Sequence, residues 1–286
     1  MPTRLVPCLN PATLSGLPLD DFLNVAARAG FPSVELPIQQ VLAAGSETVG
    51  ARLTQLGLDV AAASGILPAG PVLPAPLLTP EPHYAVALDG LRDRLAAFRR
   101  IGCRTATLVI NPRCELTYQT AMTVARRRLN ALAEQAAEYG VRLAIEVVSA
   151  TARLSPDLDG AYPFLRTLTD LSFLLEDLAP DVGVCVDSFH WAAAGASAEE
   201  LGLVSDRIAH VQVADAPALN GRTDLGDDMR LFPGDGVIPW RRFYGALGAE
   251  YQGAISVELF NPELRRPPEM VIARRAKAAA AFGWPS

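Results

Sequence analysis

Hydrophobic residues along this chain alternate between two spacings. Short, continuously apolar runs fall at residues 4–9, 33–38, 58–63, 105–110, 141–148, 182–187, 208–213 and 254–259. Each is too apolar throughout to leave one face in water, which is the pattern of parallel strands covered by helices. Between the runs, apolar positions recur three and four apart, as at Leu19, Phe22, Leu23 and Ala26, or at Met122, Ala125, Leu129, Leu132 and Ala136. That spacing predicts crossover helices with one buried stripe. Gly30, Gly57, Gly102, Gly140 and Gly253 stand between helical runs and strands, where a left-handed residue stops a helix.

Eight strands alternating with helices, and no Gly-rich phosphate loop after the first strand, predict a closed (β/α)8 TIM barrel rather than an open doubly wound sheet. The 286 residues, half of them hydrophobic, suit one such core, so 1–286 is read as a single α/β domain. Chemistry in these barrels collects at the C-terminal ends of the strands and in the loops that follow. Three long loops are expected there, at 64–84, 149–162 and 214–239. The first carries Pro68, Pro71, Pro74, Pro76, Pro80 and Pro82 and reads as a stiffened cover over the mouth.

Four strands end in polar side chains: Glu146 in LAIEVV, Asp187 in VGVCVDSFHW, Gln212 in AHVQVAD and Glu258 in AISVELF. Carboxylates converging inside a barrel repel one another and cost about several kcal/mol each unless paired or metal-bound. Separate pairing with basic residues is the competing arrangement. The strands supply few cations for it, since Arg4, Arg104 and Arg142 lie at N-terminal edges, far from the mouth. One divalent metal held by Glu146, Asp187, Gln212 and Glu258 is the simpler expectation.

Composition narrows the partners. With 31 acidic against 25 basic residues, a net charge of −6 disfavours nucleic acid and anionic membranes, which require clustered Lys and Arg. A small polar molecule is expected instead. Cys8, Cys103, Cys114 and Cys185 show no C-x-x-C pair and read as buried or free thiols. The N-terminus lacks a signal-like apolar run, and no stretch reaches the roughly 18 apolar residues of a bilayer span. A soluble cytoplasmic protein is the expectation.

The runs GFPSVEL, LAIEVV, VGVCVDSFHW, IAHVQVADAP, RLFPGDGVIPW and YQGAISVELFNPEL together resemble the xylose-isomerase-like barrel superfamily of sugar isomerases and epimerases, in order and over nearly the whole chain. The resemblance implies metal ligation by Glu146, Asp187, Gln212 and Glu258. It also implies a substrate-binding role for His190, three residues past Asp187, and for Arg230, which opens RLFPGDG. Alternatively, Arg230 is a surface residue tying down Asp227 or Asp228. His210 shares a strand face with Gln212 and reads as a deeper supporting or core residue. Glu35 either reaches the mouth or ties down a neighbouring loop, and Trp191 and Trp240 either wall the pocket or pack in the core.

Gln212 departs from the histidine commoner in the superfamily. Three carboxylates and an amide carbonyl suit a hard ion, so Mn2+ is the first choice, with Mg2+, Co2+ and Zn2+ as alternatives. The acidic ligand set disfavours a phosphorylated substrate. The resemblance implies isomerisation or epimerisation of a ketose, inosose or related polyol through a cis-enediolate, with Glu146 and Glu258 as acid and base. Sugar 3-epimerases of the superfamily carry a further glutamate where this chain has Ala152. The PGDG run followed by SVELFNPE is closer to inosose isomerases, and a glutamine at position 212 is shared with 3-dehydroshikimate dehydratases. A dehydratase is therefore the alternative, with a non-catalytic polyol-binding barrel behind it. The apurinic-site endonuclease branch is set aside because only His83, His190 and His210 are present for its multi-zinc cluster. A homo-oligomer is compatible with the sequence.

Overall fold

Each predicted apolar run forms a strand in the computed structural model, which describes residues 5–68, 76–149, 160–219, 225–248 and 251–284. The strands are β1 (Val6–Leu9), β2 (Ser33–Pro37), β3 (Asp59–Ser64), β4 (Thr105–Ile110), β5 (Arg142–Val147), β6 (Gly183–Asp187), β7 (Ile208–Val213) and β8 (Ala254–Val257). They pair in parallel around a closed ring, and β8 meets β1 in register from Val6↔Ala254 to Leu9↔Val257. In β4 (TATLVI) and β7 (IAHVQV) every residue is buried, because one strand face fills the barrel while the other is covered by helices. An antiparallel pair of two-residue strands, Arg113–Cys114 with Tyr162–Pro163, lies outside the ring.

The helical stripes bury as their spacing predicts. The helix Leu19–Ala29 buries Phe22, Leu23 and Ala26, and the helix Tyr118–Ala137 buries Met122, Ala125, Leu129, Leu132 and Ala136 among others. Gly30 (φ 81°) closes the first of these, its N–H reaching back to the carbonyls of Ala26 and Ala27. Gly57, Gly102 and Gly140 also take positive φ, but Gly253 does not. Among the described residues before β8, Gly248 takes a positive φ (82°), directly after the helix Trp240–Leu247.

The proline-rich loop is shorter than its composition suggests. Pro76 starts a 3-10 turn (Pro76–Leu78), Pro80 caps a helix at Glu81–Leu88, and Pro82 sits in that helix's first turn, where its missing N–H costs nothing. Pro71 and Pro74 lie outside the described residues. Two buried arginines anchor the flanks: Arg94 donates to the carbonyls of Ile66, Ala87 and Asp89, and Arg128 to those of Leu77 and Thr79 and to Glu81. All four cysteines are buried and free. Among the described residues, no helix is long and apolar enough to cross a membrane.

Candidate metal and active site

Position along the strands places the acids. Asp187 is the last residue of β6 and Glu146 the penultimate residue of β5, while Glu258 comes one residue after β8. The predicted strand ran through Leu259, but pairing stops at Val257, and the Glu258 N–H bonds to the Val213 carbonyl. Gln212 lies on β7, in register with Asp187 on β6. All four side chains are buried.

Arg230 links two of them, Asp187 and Glu258. Its guanidinium, only 1% exposed, donates to Asp187 Oδ2 (2.5 Å), Glu258 Oε2 (3.2 Å) and Asp227 Oδ1 (2.7 and 2.9 Å), between the rings of Phe189 and Phe260. The pairing with Asp227 foreseen for a surface arginine thus exists, on a residue that is wholly buried. Burial works against the Arg230 charge, but Asp187, Asp227 and Glu258 outweigh it and raise its pKa further.

The Arg230 loop is built on a second carboxylate. Asp215, fully buried, accepts from the N–H groups of Ala216 and Ile238 on one oxygen and from Gly234 N–H and Trp240 Nε1 on the other, at 2.8–2.9 Å. Its backbone exchanges hydrogen bonds with Leu231, the neighbour of Arg230. A side chain at Gly236 would run into Asp215 and the Ala216 carbonyl, so only glycine allows this approach. Trp240 therefore serves the loop and the core and does not wall the site. Trp191 lines a small pocket beside Asp187 and His190.

His190 Nε2 lies 3.2 Å from Arg230 Nη2, 3.7 Å from Glu146 Oε1 and 3.8 Å from Asp227 Oδ1. Arginine can only donate, so Nε2 accepts and the ring is neutral with its proton on Nδ1. Burial lowers the His190 pKa, opposed by Asp187 and reinforced by Arg230, which agrees with that state. Asp187 Oδ1 accepts from the backbone N–H groups of Phe189 (2.6 Å) and His190 (3.3 Å). Burial pushes the Asp187 pKa up, but Arg230, His190 and these hydrogen bonds bring it below the ordinary range.

Glu146 and Glu258 behave oppositely. Burial, then the charge of Asp187, holds Glu146 well above the usual carboxylate range against the pull of Arg230. Burial raises Glu258 past the opposing effect of Arg230, with Glu146 and Asp187 adding to it.

Asn10, just after β1 and next to β8, and Glu35 on β2 complete the cluster. Asn10 donates to Glu258 Oε1 at 2.9 Å. Gln212 Nε2 donates to Glu258 (3.3 Å) and to both oxygens of Glu35 (3.2 and 3.3 Å), and its Oε1 faces Cys185 Sγ at 3.4 Å. His210 Nε2 stands 3.0 Å from Glu35 Oε1, out of line for a hydrogen bond. Burial opposes ionisation of Glu35, yet His210, Ser256 and Asn10 together bring its pKa below the ordinary range. Glu35 thus reaches the mouth, and His210 supports it from below. The cavity above holds about 550 Å3, lined at its base by Asn10, Glu35, Glu146, Gln212 and Glu258. That volume falls within the roughly 300–1,000 Å3 of small-molecule sites.

The donor chemistry fits a divalent cation. Asp187, Asp227 and Glu258 pair with one guanidinium, Glu35 and Glu146 add two further carboxyl groups, and His190 is neutral, so among the described residues the cluster is acidic beyond what Arg230 neutralises. Ligand atoms of Glu146, Asp187 and His190 lie within 4.8 Å of one another. A His190 ring nitrogen thus stands close to two of the expected oxygen ligands, and oxygen and imidazole donors suit divalent metals.

A family model described as xylose isomerase-like TIM barrel matches residues 23–282. An inosose isomerase of Bacillus subtilis is 29% identical over 136 residues, 47% of this chain and 46% of the relative, so the match spans about half the length of either protein. A xylose isomerase domain protein from Alicyclobacillus acidocaldarius superposes with a TM-score of 0.81 at 28% identity, covering 96% of each chain. The IOLI protein, solved with a bound zinc atom, superposes with a TM-score of 0.83 at 19% identity over 97% of each chain, a likeness of fold.

Proposed function

Because the chain belongs to the xylose isomerase-like TIM barrel family, we propose that it is a divalent-metal-dependent isomerase or epimerase of a ketose, inosose or related polyhydroxy carbonyl compound. The observation that carries this reading is the pairing of Glu146 and Glu258. They are two buried carboxylates, three strands apart in the ring, whose ordinary acidity is suppressed at the base of one cavity. The inosose isomerase relative and the zinc bound by the IOLI protein support the substrate class and the metal.

Glu146, Asp187, Gln212 and Glu258 would hold the cation, Mn2+ first for this oxygen-rich set. When bound, it would polarise the substrate carbonyl and acidify the neighbouring C–H. The protein groups do the proton work. One glutamate takes a proton from carbon and the other returns one, and a group with a raised pKa holds or releases a proton near neutrality. As negative charge develops on the substrate oxygens, Arg230 stabilises it by charge, and His190 Nε2 exchanges its bond from Arg230 for one from a substrate hydroxyl. Both are held in place before substrate arrives, Arg230 by Asp227 and the Asp215 loop, His190 by the turn that Asp187 caps.

Gln212 favours one second reading, dehydration through the same enolate. Incubating inososes, ketoses and 3-dehydroshikimate with the protein and Mn2+ in D2O separates them by mass spectrometry. Deuterium gain without loss of water supports isomerisation, and loss of water supports the dehydratase. Neither deuterium exchange nor loss of water in any of these compounds would refute both.

A further inference from the structure

Resting on the metal-site reading above, we infer that Glu35 is a positioning residue that fixes which end of the Gln212 amide faces the metal. A glutamine offers a donor at one terminus and an acceptor at the other, and only the acceptor can hold a cation. The Gln212 NH2 group lies 3.2 and 3.3 Å from the two Glu35 oxygens and 3.3 Å from Glu258 Oε1. Turning the amide over would set its oxygen against the acceptor oxygens of Glu35 with no proton between them, so the orientation is dictated by hydrogen-bond complementarity.

With the NH2 group held there, Oε1 projects towards β6. It lies 3.4 Å from the sulfur of Cys185, two residues before Asp187, and the β6–β7 register places Asp187 opposite Gln212 itself. The acceptor end therefore faces the strand that supplies the Asp187 ligand. Glu35 is itself held. It is buried on β2, with His210 Nε2 at 3.0 Å. Its carboxylate takes no part in the proton transfers assigned to Glu146 and Glu258. It acts through Gln212.

Two variants separate orientation from charge. Glu35→Asp keeps the charge but withdraws the carboxylate from Gln212, while Glu35→Gln removes the charge but still offers a carbonyl oxygen to the Gln212 NH2. Mn2+ binding to the folded proteins, measured by isothermal titration calorimetry with circular dichroism as the folding control, should weaken roughly 10- to 100-fold in Glu35→Asp. Glu35→Gln should stay close to the parent protein. In a Gln212→Ala background, which weakens binding by itself, Glu35→Asp should cause little further loss.

The reverse pattern, with Glu35→Asp unaffected and Glu35→Gln weakened, would assign Glu35 a role as a charge and overturn the inference. So would an undiminished Glu35→Asp loss in the Gln212→Ala background. A parent protein that binds Mn2+ while Glu35→Asp binds it equally well refutes this inference alone, whereas a parent that binds no divalent cation refutes the metal site and the inference with it.

Discussion

Replacing Asp215 by Asn tests the idea that a buried carboxylate builds the loop that carries Arg230. Each Asp215 oxygen accepts two hydrogen bonds, Oδ1 from Ala216 and Ile238 and Oδ2 from Gly234 and Trp240 Nε1. An asparagine keeps one acceptor and turns an NH2 group towards the other two donors. Two hydrogen bonds to a charged group, at about 1.5–3 kcal/mol each, are therefore lost, a destabilisation of about 3–6 kcal/mol. Against the roughly 5–15 kcal/mol that holds a typical domain folded, that is a large fraction. Urea unfolding followed by far-ultraviolet circular dichroism and tryptophan fluorescence measures it, and coincident transitions would license a two-state free energy. Trp240→Phe removes one of the four donors, so the Asp215→Asn cost should shrink in that background. A loss below about 1 kcal/mol, the contribution of a single ordinary hydrogen bond, would refute the reasoning.

The acid and base assignments and the suppressed ionisation of the site give two further tests. Glu146→Gln and Glu258→Gln should each lower turnover by about 10²- to 10⁴-fold, with circular dichroism unchanged; near-normal rates in both would remove them from the chemistry. For pH, a carboxylate whose folded-state pKa is raised binds more protons folded than unfolded. In EDTA, Glu146 and Glu258 should therefore make thermal stability fall as pH rises from the ordinary carboxylate range towards neutrality. Asp187, lowered by folding, acts in the other direction: its contribution is present above the ordinary aspartate range and is lost as pH falls below it. Added Mn2+ should reverse the fall near neutrality, because binding needs both glutamates ionised. A flat profile from pH 5 to 8 in EDTA would contradict the raised values.

The barrel could be read from apolar runs because buried parallel strands lack a wet face, and the runs and observed strands differ by a residue or two. Their ends were harder to place. Glu258 lies past the last β8 pair, and Glu81–Leu88 begins its helix at prolines that by composition alone suggest a continuing loop. At the site, Glu146, Asp187, Gln212 and Glu258 could be picked out by chemistry at strand ends, and His190 and Arg230 by the resemblance of their runs to family motifs. Asn10 and the role of Glu35 could not, because their partners come from barrel closure: Asn10 meets Glu258 across 248 positions and Glu35 meets Gln212 across 177. No local spacing encodes a contact made by the first strands on the last. The burial of Arg230 was likewise hidden, since an arginine beside two aspartates in a loop reads as a surface pair until Asp215 is seen to fold that loop inward.

The most direct test of the site is anomalous diffraction at the manganese edge from crystals grown with Mn2+. The account predicts one strong peak at the C-terminal mouth of the barrel, ligated by Glu146, Asp187, Gln212 Oε1 and Glu258. A mouth without such a peak, with Asp187 and Glu258 still paired to Arg230, would contradict it, as would a manganese ion bound only elsewhere.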